Sequence, residues 1–161
     1  MHTLQHDTPA GTLTTIIDGS QVIRAAGFTA DAQALATRLG LAEAPPAGTD
    51  GPVHQAIHAY LDGDVEALDG LHVEQPGTDF QHLVWTALRA VPPGTTATYG
   101  ELAAAIGRPG ATRAVGSACG RNLVAPFVPC HRAVRSDGTT GGYYYGSHVK
   151  DWLLGHESGQ A

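Results

Sequence analysis

Apolar and polar positions in the first half of the chain form short β-like and helical runs separated by Gly, Pro and Asp. Gly11-Thr12-Leu13-Thr14-Thr15-Ile16-Ile17 is rich in β-branched residues and reads as a strand. Asp18-Gly19 is a hairpin turn signal, and Gln21 to Ala26 reads as the partner strand. A helix is expected from Thr29-Ala30-Asp31 to about Leu39, with Thr29 or Asp31 as its cap and Gly40 as its stop. Residues 44–52 are rich in Pro and Gly and form a loop. Val53 to Leu61 reads as a helix ending at Asp62-Gly63, and Leu71 to Glu74 as a short strand that exits through Gln75-Pro76-Gly77.

The spacing then turns helical. Thr78-Asp79 caps a helix whose apolar positions are Phe80, Leu83, Val84, Leu88 and Val91, and Pro92-Pro93-Gly94 ends it. Thr98 to Gly107 reads as a second capped helix, Arg108-Pro109-Gly110 as a turn, and Ala111 to Cys119 as a third helix rich in Ala and Gly. Two short helices across a tight turn make a helix-turn-helix. The expected architecture is an α/β N-terminal domain over 1–76, a small antiparallel sheet with helices acting as support. A mainly α C-terminal domain over 77–161 follows, carrying the helix-turn-helix. No internal repeat or low-complexity tract interrupts this pattern.

Composition adds three points. With 161 residues, 42% of them hydrophobic, the chain can bury a core. No segment approaches a membrane span and the first residues lack signal-peptide features, so a cytoplasmic protein without membrane contact is expected. The net charge of −6 divides unevenly: residues 1–90 carry three Arg/Lys against eleven Asp/Glu, and residues 91–161 carry six against four. That asymmetry leaves the C-terminal half able to face phosphate.

Two cysteines, Cys119 and Cys130, argue for thiol chemistry or packing rather than a disulfide framework. His54 and His58 stand at i, i+4, as metal ligands on a helix can, but Gln55 occupies the place of the Glu that a metalloprotease motif requires. A solvated helix face is the better reading of that pair. No CxxC or clustered Cys/His pattern occurs, so no structural zinc site is expected.

The chemistry concentrates in Phe127-Val128-Pro129-Cys130-His131-Arg132-Ala133-Val134. Pro129 can hold the next residue in one pose, and cationic neighbours at 131 and 132 would favour the Cys130 thiolate. The plain alternative is a buried cysteine at a strand end. Val-Pro-Cys-His-Arg, preceded by Gly120-Arg121-Asn122, resembles the active-site segment of the O6-alkylguanine-DNA alkyltransferases, the methylated-DNA–protein-cysteine methyltransferases. The resemblance runs without a gap from about Asp79 to Glu157. It takes in Thr98 to Ala103, Arg113 to Gly116, and Trp152-Leu153-Leu154-Gly155-His156-Glu157.

The resemblance implies DNA repair by irreversible, single-use transfer of an alkyl group, chiefly methyl, from O6 of a flipped guanine to Cys130. It implies that His131 takes the thiol proton through a water, that Glu157 holds His131, and that Asn122 braces the turn before Cys130. Tyr99 would crowd the target phosphate, and Arg113 would fill the gap left by the extruded nucleotide. Val128 and Tyr143 would contact the base. The implied partner is double-stranded DNA containing O6-alkylguanine, bound through the minor groove by a monomer, with no metal or organic cofactor. The alternative is a DNA-binding protein that recognises the lesion or senses methylation without turnover; a cysteine hydrolase is a third reading. Three positions depart from the family pattern: Leu123 stands where Pro is usual, Tyr144 and Tyr145 add bulk beside the pocket, and His148 adds an aromatic.

Overall fold

Three strands pair edge to edge in the order β1 (His2–Thr8), β2 (Gly11–Ile17), β3 (Ile23–Gly27), all antiparallel. They belong to a computed structural model that describes residues 1–48 and 50–159. Thr49, inside the loop expected at 44–52, lies outside the described residues, as do the last two positions of the domain expected at 77–161. The structure divides into two units. The first is Met1–Gln75 with Leu123–Phe127, and the second is Pro76–Asn122 with Val128–Ala161.

In the first unit the expected hairpin is β2–β3. Its turn is organised by Asp18, whose carboxylate accepts the Ser20 and Val22 amides and the Arg24 guanidinium. Sequence patterning passes over β1, because an inward position of that strand is filled by a histidine, His6, which reads as polar although it is buried. Helix α1 (Ala32–Arg38) is capped by the Asp31 carboxylate, which accepts the Ala34 amide, and Gly40 follows at φ +86°. Its Leu35 and Ala36 pack with Ile16, Ala25 and Leu123 on one face of the sheet. Leu123, where the family pattern has Pro, donates its amide to Gln75 Oε1 at 2.8 Å, a bond that proline has no hydrogen to make.

Helix α2 (Pro52–Leu61) buries Val53, Ile57 and Tyr60 and packs on β1. The expected solvated His54/His58 face holds for His58, which is exposed, and in part for His54, which is half-buried. Both rings lie against the buried His6, with ring centroids 4.9 and 5.2 Å from it and 4.5 Å from each other. Burial, with the neighbouring His54 and His58 charges, lowers the His6 pKa to about 4. The strand expected at Leu71–Glu74 reduces to a single bridge from Val73 to Ile23, the flanking His72 carbonyl and Glu74 amide bonding to Ile23.

The second unit contains α3 (Asp79–Arg89), β4 (Ala97–Thr98), α4 (Tyr99–Ala105) and α5 (Thr112–Gly120). A 3₁₀ turn at Cys130–Arg132, β5 (Ala133–Val134) and α6 (Ser147–Glu157) complete it. Both α3 and α4 begin with a capping box, Thr78 with Gln81 and Thr98 with Glu101, which satisfies two otherwise orphaned amides at each start. Helix α3 buries Val84, Trp85 and Leu88. Leu83, expected inward, is 44% exposed; Trp85 takes that role and donates Nε1–H to the Ala118 carbonyl of α5 at 2.9 Å. A Cβ at Gly77 would sit 2.5 Å from the Trp85 ring, so the glycine admits the indole. Two residues of β4 pair in parallel with β5, Ala97 with Ala133 and Thr98 with Val134, which ties the start of α4 to the chain just after Cys130. Among the described residues no helix is long and apolar enough to cross a membrane.

Candidate active site

Glu157, in the last turn of α6, is the anchor of a buried polar set. Its Oε1 accepts from His131 Nε2 at 2.9 Å and from Arg132 Nε at 2.9 Å, and its Oε2 accepts from Arg132 Nη2 at 2.9 Å. Arg132 Nη1 donates to the Val91 carbonyl at 2.7 Å. Burial alone would raise the Glu157 carboxyl. Hydrogen bonds from His131 and Arg132, and then their charges, outweigh it and hold the pKa at about 2. Glu157 is therefore a carboxylate at neutral pH and can only accept, so the hydrogen between it and His131 sits on Nε2.

That choice of tautomer fixes the rest of the ring. His131 is fully buried, and burial lowers its pKa more than Glu157 raises it, so the ring is neutral. Its Nδ1 then carries a lone pair, and this atom is buried without a hydrogen bond to any described residue. A neutral imidazole, oriented by a carboxylate and offering one basic nitrogen, is equipped to take a proton.

Cys130 begins the 3₁₀ turn directly after Pro129. Asn122 Nδ2 donates to the Val128 carbonyl at 2.8 Å and to Cys130 Sγ at 3.3 Å. Burial raises the Cys130 pKa; the Asn122 hydrogen bond and the nearby Lys150 charge lower it, without overcoming the burial. The expected thiolate supported by His131 and Arg132 is corrected accordingly: His131 is neutral, and Arg132 is committed to Glu157. Cys130 rests as a thiol. Cys119, on the buried side of α5, is pushed up to about 12 by burial and then by Cys130.

The remaining residues singled out from sequence divide. Val128 is buried beside Asn122. Tyr99, the first residue of α4, is half-buried, and its hydroxyl lies 3.1 Å from where a Cβ on Gly141 would be. Burial, then the charges of Cys119 and Cys130, raise its pKa. Tyr143 has its hydroxyl oxygen buried. Its ring is 6.0 Å from that of Tyr145, which is 4.8 Å from Tyr144, both edge-to-face. Tyr144 is 63% exposed. Arg113 is exposed in the first turn of α5 and is not gathered with the Cys130 set.

Two participants escaped the sequence reading. Lys150 is fully buried and its ammonium donates to the carbonyls of Ala133, at 2.7 Å, and Thr140. The signal was there: Lys150, Leu153 and Glu157 share one face of α6 at i, i+3, i+7, so a lysine on the face that buries a glutamate is itself inward. Arg132 was read as a charge beside the thiol, whereas a bidentate carboxylate partner from 25 residues away cannot be inferred from adjacency.

A family model described as the 6-O-methylguanine DNA methyltransferase DNA binding domain matches residues 79–159. The chain belongs to the 6-O-methylguanine DNA methyltransferase family. Among its curated relatives in this family is a methylated-DNA–protein-cysteine methyltransferase of Salmonella typhimurium, 47% identical over 107 residues, which are 66% of this chain and 63% of that protein. The chain thus spans somewhat under two thirds of that relative's length. One from Mycobacterium bovis is 44% identical over 116 residues, 72% of this chain and 69% of the relative. Among solved structures, Mycobacterium tuberculosis OGT in complex with DNA superposes with a TM-score of 0.82 at 33% identity, covering 100% of this chain and 95% of that one. The M. tuberculosis O6-methylguanine methyltransferase gives 0.82 at 35% identity, covering 99% and 94%.

Proposed function

We propose that this chain repairs O6-alkylguanine in duplex DNA by taking the alkyl group, chiefly methyl, onto Cys130 in a single irreversible event. In the step itself the sulfur attacks the methyl carbon, an S–CH₃ bond forms and the O6–CH₃ bond breaks. The thiol proton passes through a water to His131 Nδ1, and the departing guanine takes up one proton, helped by the Tyr143 hydroxyl. The net change moves a methyl group from oxygen to sulfur and a proton from sulfur to the base. A thioether is a poor leaving group, so the protein is spent.

The observation that carries this reading is the neutral His131, held through Nε2 by ionised Glu157 with Nδ1 free to accept, next in the chain to a half-buried thiol. A thiol that rests protonated in a buried site needs such a base at the moment of reaction.

The same reading assigns α4, the turn after it and α5 as a helix-turn-helix set into the minor groove, within a C-terminal DNA-binding and transfer domain supported by the N-terminal one. Support comes from the outer side of α5. Thr112, Arg113, Ala114, Ser117 and Gly120 are exposed, and a Cβ on Gly116 or Gly120 would meet no described atom within 4 Å. The protein's own packing thus does not demand these glycines, whereas a backbone approaching a groove does. Arg113, exposed on that side, is assigned the role of entering the stack behind a flipped base. Asn122, Tyr99, Val128, Tyr143 and Tyr145 complete the set, with Tyr144 at its rim. The protein acts as a cytoplasmic monomer without a cofactor in the transfer step.

The test is a methyl-labelled duplex mixed with excess or limiting protein. Transfer should stop at one methyl per chain. Repeated turnover would contradict the proposal, as would binding to the lesion without transfer.

A further inference from the structure

Three imidazoles that the transfer chemistry leaves unused meet in the first unit. His6 comes from β1, and His54 and His58 lie one turn apart on α2, at the spacing that puts two side chains on the same helix face. One nitrogen from each ring falls in a set whose members all lie within 4.8 Å of one another. His6 Nε2 and His54 Nδ1 are already 3.0 Å apart. His6 Nδ1 is buried without a hydrogen-bond partner among the described residues.

As packing this arrangement is poor. A buried imidazole with one nitrogen unsatisfied and the other sharing a single proton with a second histidine forfeits hydration for little return. As a ligand set it is well formed. Imidazole nitrogens bind Zn²⁺ at about 2.0–2.1 Å, which in a tetrahedron separates neighbouring nitrogens by about 3.3 Å. The His6–His54 pair stands close to that distance, and one nitrogen from each of the three rings lies within 4.8 Å of the others. Two ligands on one helix turn and a third on a strand make a geometry fixed by secondary structure. His6 is buried, His54 half-buried and His58 exposed, so the open side of the trio faces solvent, from which a fourth ligand is available.

We propose that His6, His54 and His58 form a Zn²⁺-binding site, separate from the alkyl-transfer site, that ties β1 to α2. Three neutral nitrogen donors without a carboxylate favour zinc and its neighbours in the transition series over Mg²⁺ or Ca²⁺. The expectation of a chain without a metal site rested on the absence of a Cys/His motif. This trio is invisible to such a motif, since 48 residues separate His6 from His54.

The experiment uses full-length protein without a histidine tag, stripped with chelator. Co²⁺ titration should give the visible bands of a tetrahedral site at one equivalent per chain, bleached by Zn²⁺, and Zn²⁺ should raise the melting temperature. His54→Gln and His58→Gln should each weaken binding by at least about 100-fold, beyond what loss of an outer-shell partner costs, and should abolish the Zn²⁺-dependent rise. His58 is exposed, so His58→Gln stays folded and keeps the test meaningful if a His6 variant does not. His82→Gln and His148→Gln should bind as the parent does. Absence of a stoichiometric Co²⁺ spectrum, or binding that survives in the His54→Gln/His58→Gln double variant, would overturn the proposal.

Discussion

One amide group of Asn122 holds both the sulfur of Cys130, at 3.3 Å, and the carbonyl of Val128, at 2.8 Å. Cys130, the proposed nucleophile, and the backbone leading to it therefore share a brace that also favours the thiolate. Asn122→Ala removes a hydrogen bond to a charge that develops during transfer, an interaction of about 1.5–3 kcal/mol, so transfer should slow by about 10–100-fold. Alkylation of Cys130 by iodoacetamide across pH should show its thiol pKa raised further. An unchanged rate would limit Asn122 to backbone support.

Glu157→Gln leaves the Arg132 guanidinium buried without its carboxylate. Breaking a buried pair in this way costs about 3–5 kcal/mol, which urea denaturation measures directly. Pairing it with Arg132→Met, which removes the stranded charge, should recover part of that loss. If the double variant were no better than the single, the guanidinium would not be the source of the cost.

Acid should weaken the fold in two stages. The folded pKa values of His131 and His6 both lie below 6.5, that of His6 at about 4, so as pH falls below 6.5 the unfolded chain takes protons that the native state refuses. Stability that is complete above about pH 6.5 then declines. Glu157, held at about 2 against an ordinary 4.5, adds a second decline between those values as its native pairing is lost. His131→Gln should reduce the slope below pH 6.5 by up to one proton, about 1.4 kcal/mol per pH unit. His6 keeps its share of the slope in that variant, and an identical slope would show that His131 contributes none.

Tyr145 stands between Tyr143 and the exposed Tyr144, in ring contact with both. In a pocket built around Tyr143, the Tyr145 ring opposes a benzyl group far more than a methyl. Methyl transfer should be efficient and reaction with O6-benzylguanine weak, Tyr145→Gly improving the benzyl reaction selectively. Tyr144→Gly should change little. Equal benzyl rates before and after Tyr145→Gly would place that ring outside the pocket.

Local signals carried much of this structure. The β2–β3 hairpin, the Asp31 cap, the two capping boxes and the cysteine-bearing segment each depend on residues within a few positions of one another. What escaped depends on distant partners. Strand β1 was hidden by the buried His6, whose neighbours are on α2. Trp85 replaced Leu83 on the inner face of α3 because Ala118 supplies its acceptor and Gly77 its space. Glu157, Arg132 and Lys150 acquire their roles only when α6 closes on the 3₁₀ turn and β5. Adjacency to His131 and Arg132 suggested a thiolate; burial and the claim of Glu157 on both leave a thiol.

The central claim is that Cys130 is the alkyl acceptor, and mass spectrometry of the protein after incubation with O6-methylguanine duplex tests it most directly. Intact mass should rise by one methyl group and no more. Peptide mapping should put that group on Cys130, with Cys130→Ser unmodified and Cys119→Ser modified as the parent is. A methyl on Cys119, or a protein that binds the lesion and gains no mass, would contradict the account.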